Sequence, residues 1–70
     1  MSTSGGTMRS WPELVGWDGK VAKKQILAED PYLRVIIIKE NDAVTGDLDM
    51  HRVRIRVDEL DIVAEVPQIG

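Results

Sequence analysis

The chain has no cysteine and no phenylalanine, one histidine, and three aromatic residues in all: Trp11, Trp17 and Tyr32. Without cysteine there is neither a disulfide framework nor a thiolate nucleophile, and the fold is indifferent to redox compartment. Without phenylalanine the core has to be aliphatic. Basic charge is also short: nine Lys and Arg stand against twelve Asp and Glu, for a net charge of −3. That balance lacks the surplus a nucleic-acid binder needs to neutralise phosphates. No Lys- and Arg-rich amphipathic helix is offered to an anionic membrane surface. The longest apolar run, Val35-Ile36-Ile37-Ile38, falls far short of a bilayer span. Residues 1–10 contain no apolar stretch of the kind a secretory signal carries. Localisation therefore stays open between cytosol, a storage compartment and secretion after processing. Seventy residues permit one domain, too small to spare chain for a deep cleft, so no cofactor is expected.

Met1 to Met8 is rich in Ser, Thr and Gly without periodicity, and residues 1–9 read as a flexible arm ahead of a domain over 10–70. Large apolar side chains begin at Trp11-Pro12-Glu13-Leu14-Val15-Gly16. Asp18 is an N-cap candidate, because its carboxylate can accept from the free N–H groups of a first helical turn. A helix is predicted from Gly19 to Glu29, with Ala22 and Ile26 four apart on the buried face and Val21 and Leu27 flanking them. Pro31 ends it, since a residue before proline is pushed out of the helical region.

Leu33 to Lys39, apolar on both faces in its middle, reads as a strand covered on both sides. Glu40 to Asp49 is a loop, long for so small a domain, and long loops in compact domains usually carry function. Arg52, Arg54 and Arg56 then alternate with Val53, Ile55 and Val57, a period-two strand with one apolar and one cationic face. Asp58-Glu59-Leu60-Asp61 turns the chain, and Ile62 to Val66 reads as a last short strand before Pro67. The fold class is α+β: one helix packed on a small sheet, with an oversized loop between the two main strands.

Few chemical constellations can be built from these parts. Ser2, Ser4 and Ser10 lie in or beside the arm, and His51 has no nucleophile to serve, so no catalytic residue is assigned and the chain is not read as an enzyme. Asp42, Asp47 and Asp49 are too exposed by pattern to share a proton. Asp47, Asp49 and His51 match neither a calcium-loop nor a zinc spacing, so no metal is expected. The arginine stripe has no interleaved aromatics for stacking nucleic acid. It reads either as an ordinary solvated strand face or as a set of guanidiniums that brace the acidic loop ahead of it.

Three segments carry a further signal. Trp11-Pro12-Glu13-Leu14-Val15-Gly16, Arg52-Val53-Arg54-Ile55-Arg56-Val57 and Val66-Pro67-Gln68-Ile69-Gly70 closely resemble the potato inhibitor I family of serine protease inhibitors, in the pattern of the barley chymotrypsin inhibitors and the eglins. The resemblance covers about Ser10 to Gly70. It implies one helix on a small mixed sheet whose two main strands are parallel and joined by an exposed protease-binding loop. It also implies a tight-binding substrate mimic, cleaved very slowly because the loop is held in its bound shape. By resemblance the scissile bond lies between Gly46 and Asp47. Ala43, Val44, Thr45 and Leu48 contact the protease, and Arg52 and Arg54 brace the loop through Thr45 and Asp47.

Four departures from the family's pattern bear on the target. Gly46 stands where a large side chain usually fills the protease's primary pocket. Losing that burial removes roughly 1.5–3 kcal/mol, or about tenfold to a hundredfold in affinity. Trypsin is therefore expected to be a poor target and chymotrypsin a weak one, with subtilisin-like and elastase-like enzymes favoured. Asp49 replaces a residue that is often basic, adding to an acidic loop that disfavours acidic clefts. Gln68 replaces a basic or His residue, and Asn41 stands where Gly often turns the chain, Asn being tolerant of a left-handed conformation. A monomer is expected, and a non-inhibitory binding or storage member with a degenerate loop is the alternative.

Overall fold

The computed structural model describes residues 9–70, so Ser2, Ser4 and most of the arm read over residues 1–9 lie outside the described residues. Trp11 is buried, and its backbone N–H donates to the carbonyl of Pro67 at 2.9 Å. A 3₁₀ turn at Pro12–Leu14 follows, with Leu14 fully buried. Arg9 is already tied to the domain. Its carbonyl accepts from Ile69 N at 3.0 Å, and its guanidinium reaches Asp30 at 3.2 Å and lies over the Trp11 ring.

Helix α1 spans Gly19–Glu29, as its pattern predicts. Asp18 sits in extended backbone, and its Oδ1 accepts from the N–H groups of Lys20 at 2.8 Å and Val21 at 3.3 Å. These are two of the donors a helix start leaves free. At the other end Asp30 is extended, as its position before Pro31 requires. Gly19 is demanded by packing, because a Cβ there would lie 2.8 Å from Val57 Cγ1. Ala22 and Ile26 turn fully into the core, Leu27 packs partly against it, and Val21 is exposed.

The sheet has three strands in the order β1-β2-β3, formed by Arg34–Lys39, Arg52–Val57 and Gln68–Ile69. β1 pairs parallel with β2, Val35 opposite Val53 and Ile37 opposite Ile55, and β2 pairs antiparallel with β3, Val53 opposite Ile69. Val35, Val53, Ile55 and Val57 form the face that joins Ala22 and Ile26 in the core. The opposite face carries Arg34, Ile36 and Ile38 beside Arg52, Arg54 and Arg56.

Two strand readings are corrected here. β1 is not covered on both sides: it is an edge strand, and Ile36 on the face away from the helix remains exposed. Its four consecutive apolar residues mimic a doubly buried strand, yet only one face meets the helix. The last strand also lies beyond Pro67 rather than before it. Ile62 and Val63 make only isolated bridges, to Asp18 and Val57, and Gln68–Ile69 is the segment that pairs with β2.

Ile55 sits at the centre of the middle strand with no exposed surface. Ile55→Ala is expected to lower the unfolding free energy by about 2–5 kcal/mol. Equilibrium denaturation in urea checks this, and a loss below about 1 kcal/mol would mean that the site collapses around the smaller side chain.

Candidate functional site: a loop braced by arginines

Parallel neighbours cannot be joined by a tight turn, because the chain must travel back along the full strand before it starts again. Here that return is residues 40–51. The helix occupies one face of the sheet, and the guanidiniums on the other face contact the loop. Its return runs opposite in direction to β2, so successive arginines of β2 meet successively earlier loop residues.

The contacts follow that order. Arg52 donates from Nη2 to the Asp47 carbonyl at 2.9 Å and from Nη1 to Asp47 Oδ2 at 3.3 Å, while its Nε donates to the Gly70 carbonyl at 2.9 Å. Arg54 donates from Nη2 to Thr45 Oγ1 at 3.1 Å and lies 3.8 Å from Asp47 Oδ1. Arg56 donates from Nη1 to the carbonyls of Asp42 at 3.2 Å and Glu40 at 3.1 Å. Alternation with a period of about 6.6–6.8 Å along the strand makes such rungs possible.

Arg52 is the one buried charged residue among the described residues, at 7% exposure. A buried guanidinium is tolerated only where its donors find acceptors, and the loop and Gly70 supply them. The stripe is therefore no ordinary solvated face. It brings Arg52, Arg54, Thr45 and Asp47 together around Gly46.

Thr45 and Asp47 direct their side chains inward to the guanidiniums, while Val44 and Leu48 stay exposed on either side of them. Ala43 is exposed as well. Gly46, between the two inward residues, faces open space, with nothing within 4 Å of where a Cβ would stand and no left-handed φ. A side chain could be added at 46 without strain. Asn41 likewise avoids a positive φ, which among non-glycine described residues only Asp61 adopts.

Sequence reasoning missed two supports and left a third open. Arg56 was read with the whole stripe as either solvated or bracing, and the family resemblance gave a role only to the other two arginines. Gly70, whose carbonyl meets Arg52, has no local signal. Asp49 was read as an added surface charge, but its Oδ2 meets Arg34 Nη2 at 2.6 Å and its Oδ1 accepts from His51 N at 2.9 Å. Its backbone carbonyl also accepts from Arg52 N at 3.2 Å. The residue closes the turn into β2.

The three aspartates of the loop thus each have a partner. Asp42 Oδ2 accepts from Lys39 N, Asp47 meets Arg52, and Asp49 meets Arg34. No group of three or more His, Cys, Asp or Glu side chains among the described residues is arranged to hold a metal. Asp47's carboxyl is held below its ordinary range, first by the Thr45 side chain, then by its own backbone N–H and by Arg52. Asp49's is lowered by the His51 N–H and by the charges of Arg34 and Arg52.

Comparison with known proteins adds an independent line. The family model of the potato inhibitor I family matches residues 3–70. The chain is 47% identical over 62 residues to the Glu S. griseus protease inhibitor of Momordica charantia, spanning 89% of this chain and 91% of that one. It is 46% identical over 61 residues to Protease inhibitor HPI of Hevea brasiliensis, spanning 87% of each. The crystal structure of bitter gourd trypsin inhibitor superposes with a TM-score of 0.85 at 45% identity, covering 91% of this chain and 96% of that one.

Because the folded-state pKa of Asp47 lies below its ordinary 3.8, its bridge to Arg52 is fully present above that value. It is lost as the pH falls through the lowered pKa. A carboxyl-carbon NMR titration is expected to place the Asp47 midpoint under 3.8 and to move it upward in Thr45→Val. A midpoint at or above 3.8 in the unaltered chain would contradict the brace.

Proposed function

The chain belongs to the potato inhibitor I family of serine protease inhibitors, and from that premise we propose that loop 43–48 is its protease-binding element, with Gly46–Asp47 as the scissile bond. The protein is an inhibitor and not an enzyme. The carrying observation is the pair of contacts that flank Gly46: Arg54 on Thr45 and Arg52 on Asp47.

The mechanism follows from that geometry. Residue 45 is held through its side chain and residue 47 through its side chain and carbonyl, leaving the backbone around 46 exposed and open to a protease cleft. A loop already in its docked shape loses little conformational freedom on binding, so more of the contact energy appears as affinity. If the 46–47 bond is cut, the guanidiniums still hold Asp47. The new amine stays beside the acyl carbon, where reversal competes with release.

Residue 46 chooses the target. The relatives are named for different enzymes, trypsin in one case and a Glu S. griseus protease in another, while the fold is shared. Glycine fills no primary pocket, so affinity has to come from extended backbone pairing and from Val44 and Leu48. Subtilisin-like enzymes, and elastase-like enzymes with small pockets, suit such a loop. Trypsin, which seeks a cation against a buried acid, does not.

Stoichiometric titration against subtilisin, elastase, chymotrypsin and trypsin tests the proposal. Inhibition is expected for the first two at micromolar concentration or below, and none against any of the four overturns it. Gly46→Leu is expected to tighten binding to subtilisin and chymotrypsin by about tenfold to a hundredfold. An unchanged constant would instead favour the non-inhibitory reading that the bare Gly46 suggests. Arg52→Ala and Arg54→Ala are expected to turn the inhibitor towards a substrate, with cleavage at Gly46–Asp47 followed by mass spectrometry. Unaltered resistance in both variants would remove the bracing role.

A further inference from the structure

Three guanidiniums leave β2 on the loop face, and the two at Arg52 and Arg54 account for the segment around Gly46. We propose that Arg56 is a positioning residue for the incoming leg: it sets the direction in which the chain leaves the turn after β1 and so fixes Ala43 and Val44. The functional consequence rests on reading 43–48 as the protease-binding loop.

The turn itself is closed without Arg56. Asp42 N donates to the Lys39 carbonyl at 3.0 Å, Lys39 N donates to Asp42 Oδ2 at 3.1 Å, and Glu40 N donates to the Val57 carbonyl at 2.9 Å. These bonds shape the turn and hang it from the end of β2. They do not aim the chain that emerges from it. The Asp42 carbonyl begins that emerging segment, and Arg56 bonds it together with the Glu40 carbonyl, 14 and 16 residues away in sequence. One guanidinium nitrogen shared between the alternate carbonyls of residues 40 and 42 ties both ends of the turn to a single point on β2.

With Arg56 in place, the loop is held at Asp42, Thr45, Asp47 and Asp49, and never more than two consecutive residues lie between holds. Without it, the turn at 39–42 becomes a pivot, and Ala43 and Val44 hang between that pivot and Thr45. The exit side is untouched, because Asp49 is secured by Arg34 and by the His51 N–H.

The surroundings of Arg56 favour a directed role over a merely solvated charge. Its side chain is mostly buried, at 24% exposure, and a hollow of about 190 Å³ opens beside it, bordered by Arg54, Glu65, Val66, Gln68, Ile69 and Gly70. Glu65 lies 3.9 Å from its Nε, close enough to attract but too far to bond. The bonds its guanidinium donates go to the two carbonyls.

The test compares Arg56→Met, which keeps a long stem and loses every donor, with Arg56→Lys. Backbone ¹⁵N relaxation in the full chain reads the loop residue by residue, and urea denaturation reads stability. Titration against whichever protease the unaltered chain inhibits best reads function. In Arg56→Met, order parameters at Ala43 and Val44 are expected to fall from about 0.85 towards 0.6 or below, while those at Leu48 and Asp49 hold. Inhibition is expected to weaken by about three- to tenfold with little change in the denaturation midpoint, and Arg56→Lys is expected to lie between. Unchanged order at 43 and 44, or loosening spread evenly across 43–49, overturns the role. Relaxation is measured without any protease, so failure of the positioning role and failure of the inhibitor reading give separate signatures.

Discussion

The parallel pairing of β1 with β2 is the constraint from which the rest follows. A hairpin would have needed only a short turn; parallel neighbours oblige the chain to come back the whole length of the strand. The helix seals one face of the sheet over Val35, Val53 and Ile55, and the arginines that meet the returning segment stand on the other. That segment belongs to no strand, and its carbonyls at Glu40, Asp42 and Asp47 find donors in side chains rising from the strand beneath it. Period-two alternation supplies those side chains at even spacing, with the apolar residues between them serving the core on the opposite face. One six-residue strand therefore builds the core and the brace at once.

The same arrangement changes how the loop's charge is to be counted. The sequence shows Glu40, Asp42, Asp47 and Asp49 in one exposed stretch, an apparently acidic surface. In the fold, Asp47 and Asp49 lie against Arg52 and Arg34, and their carboxyls are held in the ionised form first by the Thr45 side chain and the His51 N–H and then by those cations. On the proposed reading, a protease cleft meets Val44 and Leu48 beside an exposed Asp47 that is already paired. An acidic cleft is then opposed less strongly than the residue count implies, since the charges of Arg52 and Arg34 offset those of Asp47 and Asp49.

The elements with local signals were legible. The helix, its Asp18 cap and its stop before Pro31 follow from short-range rules, and the Arg52–Val57 strand from strict alternation. What could not be read locally was set by tertiary placement. Whether the run Val35–Ile38 has one covered face or two depends on how many layers the domain builds, and here it builds one helix against one sheet. Ile62–Val66 has the composition of a strand, but the pairing positions beside β2 go to Gln68–Ile69 beyond the proline. In the site, Thr45, Asp47, Arg52 and Arg54 were picked out by resemblance to a family, since composition alone left the stripe between brace and solvated face. Asp49 was misjudged for the opposite reason: the pattern made it a departure, and only the proximity of Arg34 across the strand pair shows what the acid does.

On the proposed reading, rigidity and specificity are carried by different residues, and the alternation in the loop is what separates them. Thr45 and Asp47 face inward and are spent on the arginines; Val44, Gly46 and Leu48 do not take part in those bonds. Residue 46 can therefore change without touching a single hold, and the open space around its Cβ position removes the steric objection as well. Glycine's usual cost, the freedom it gives the backbone, is contained because the residues on both sides are fixed by guanidiniums with few ways to move. Under the proposed reading, a bare residue at the centre of a braced loop thus weakens the contact with a protease's pocket while leaving the loop's shape intact.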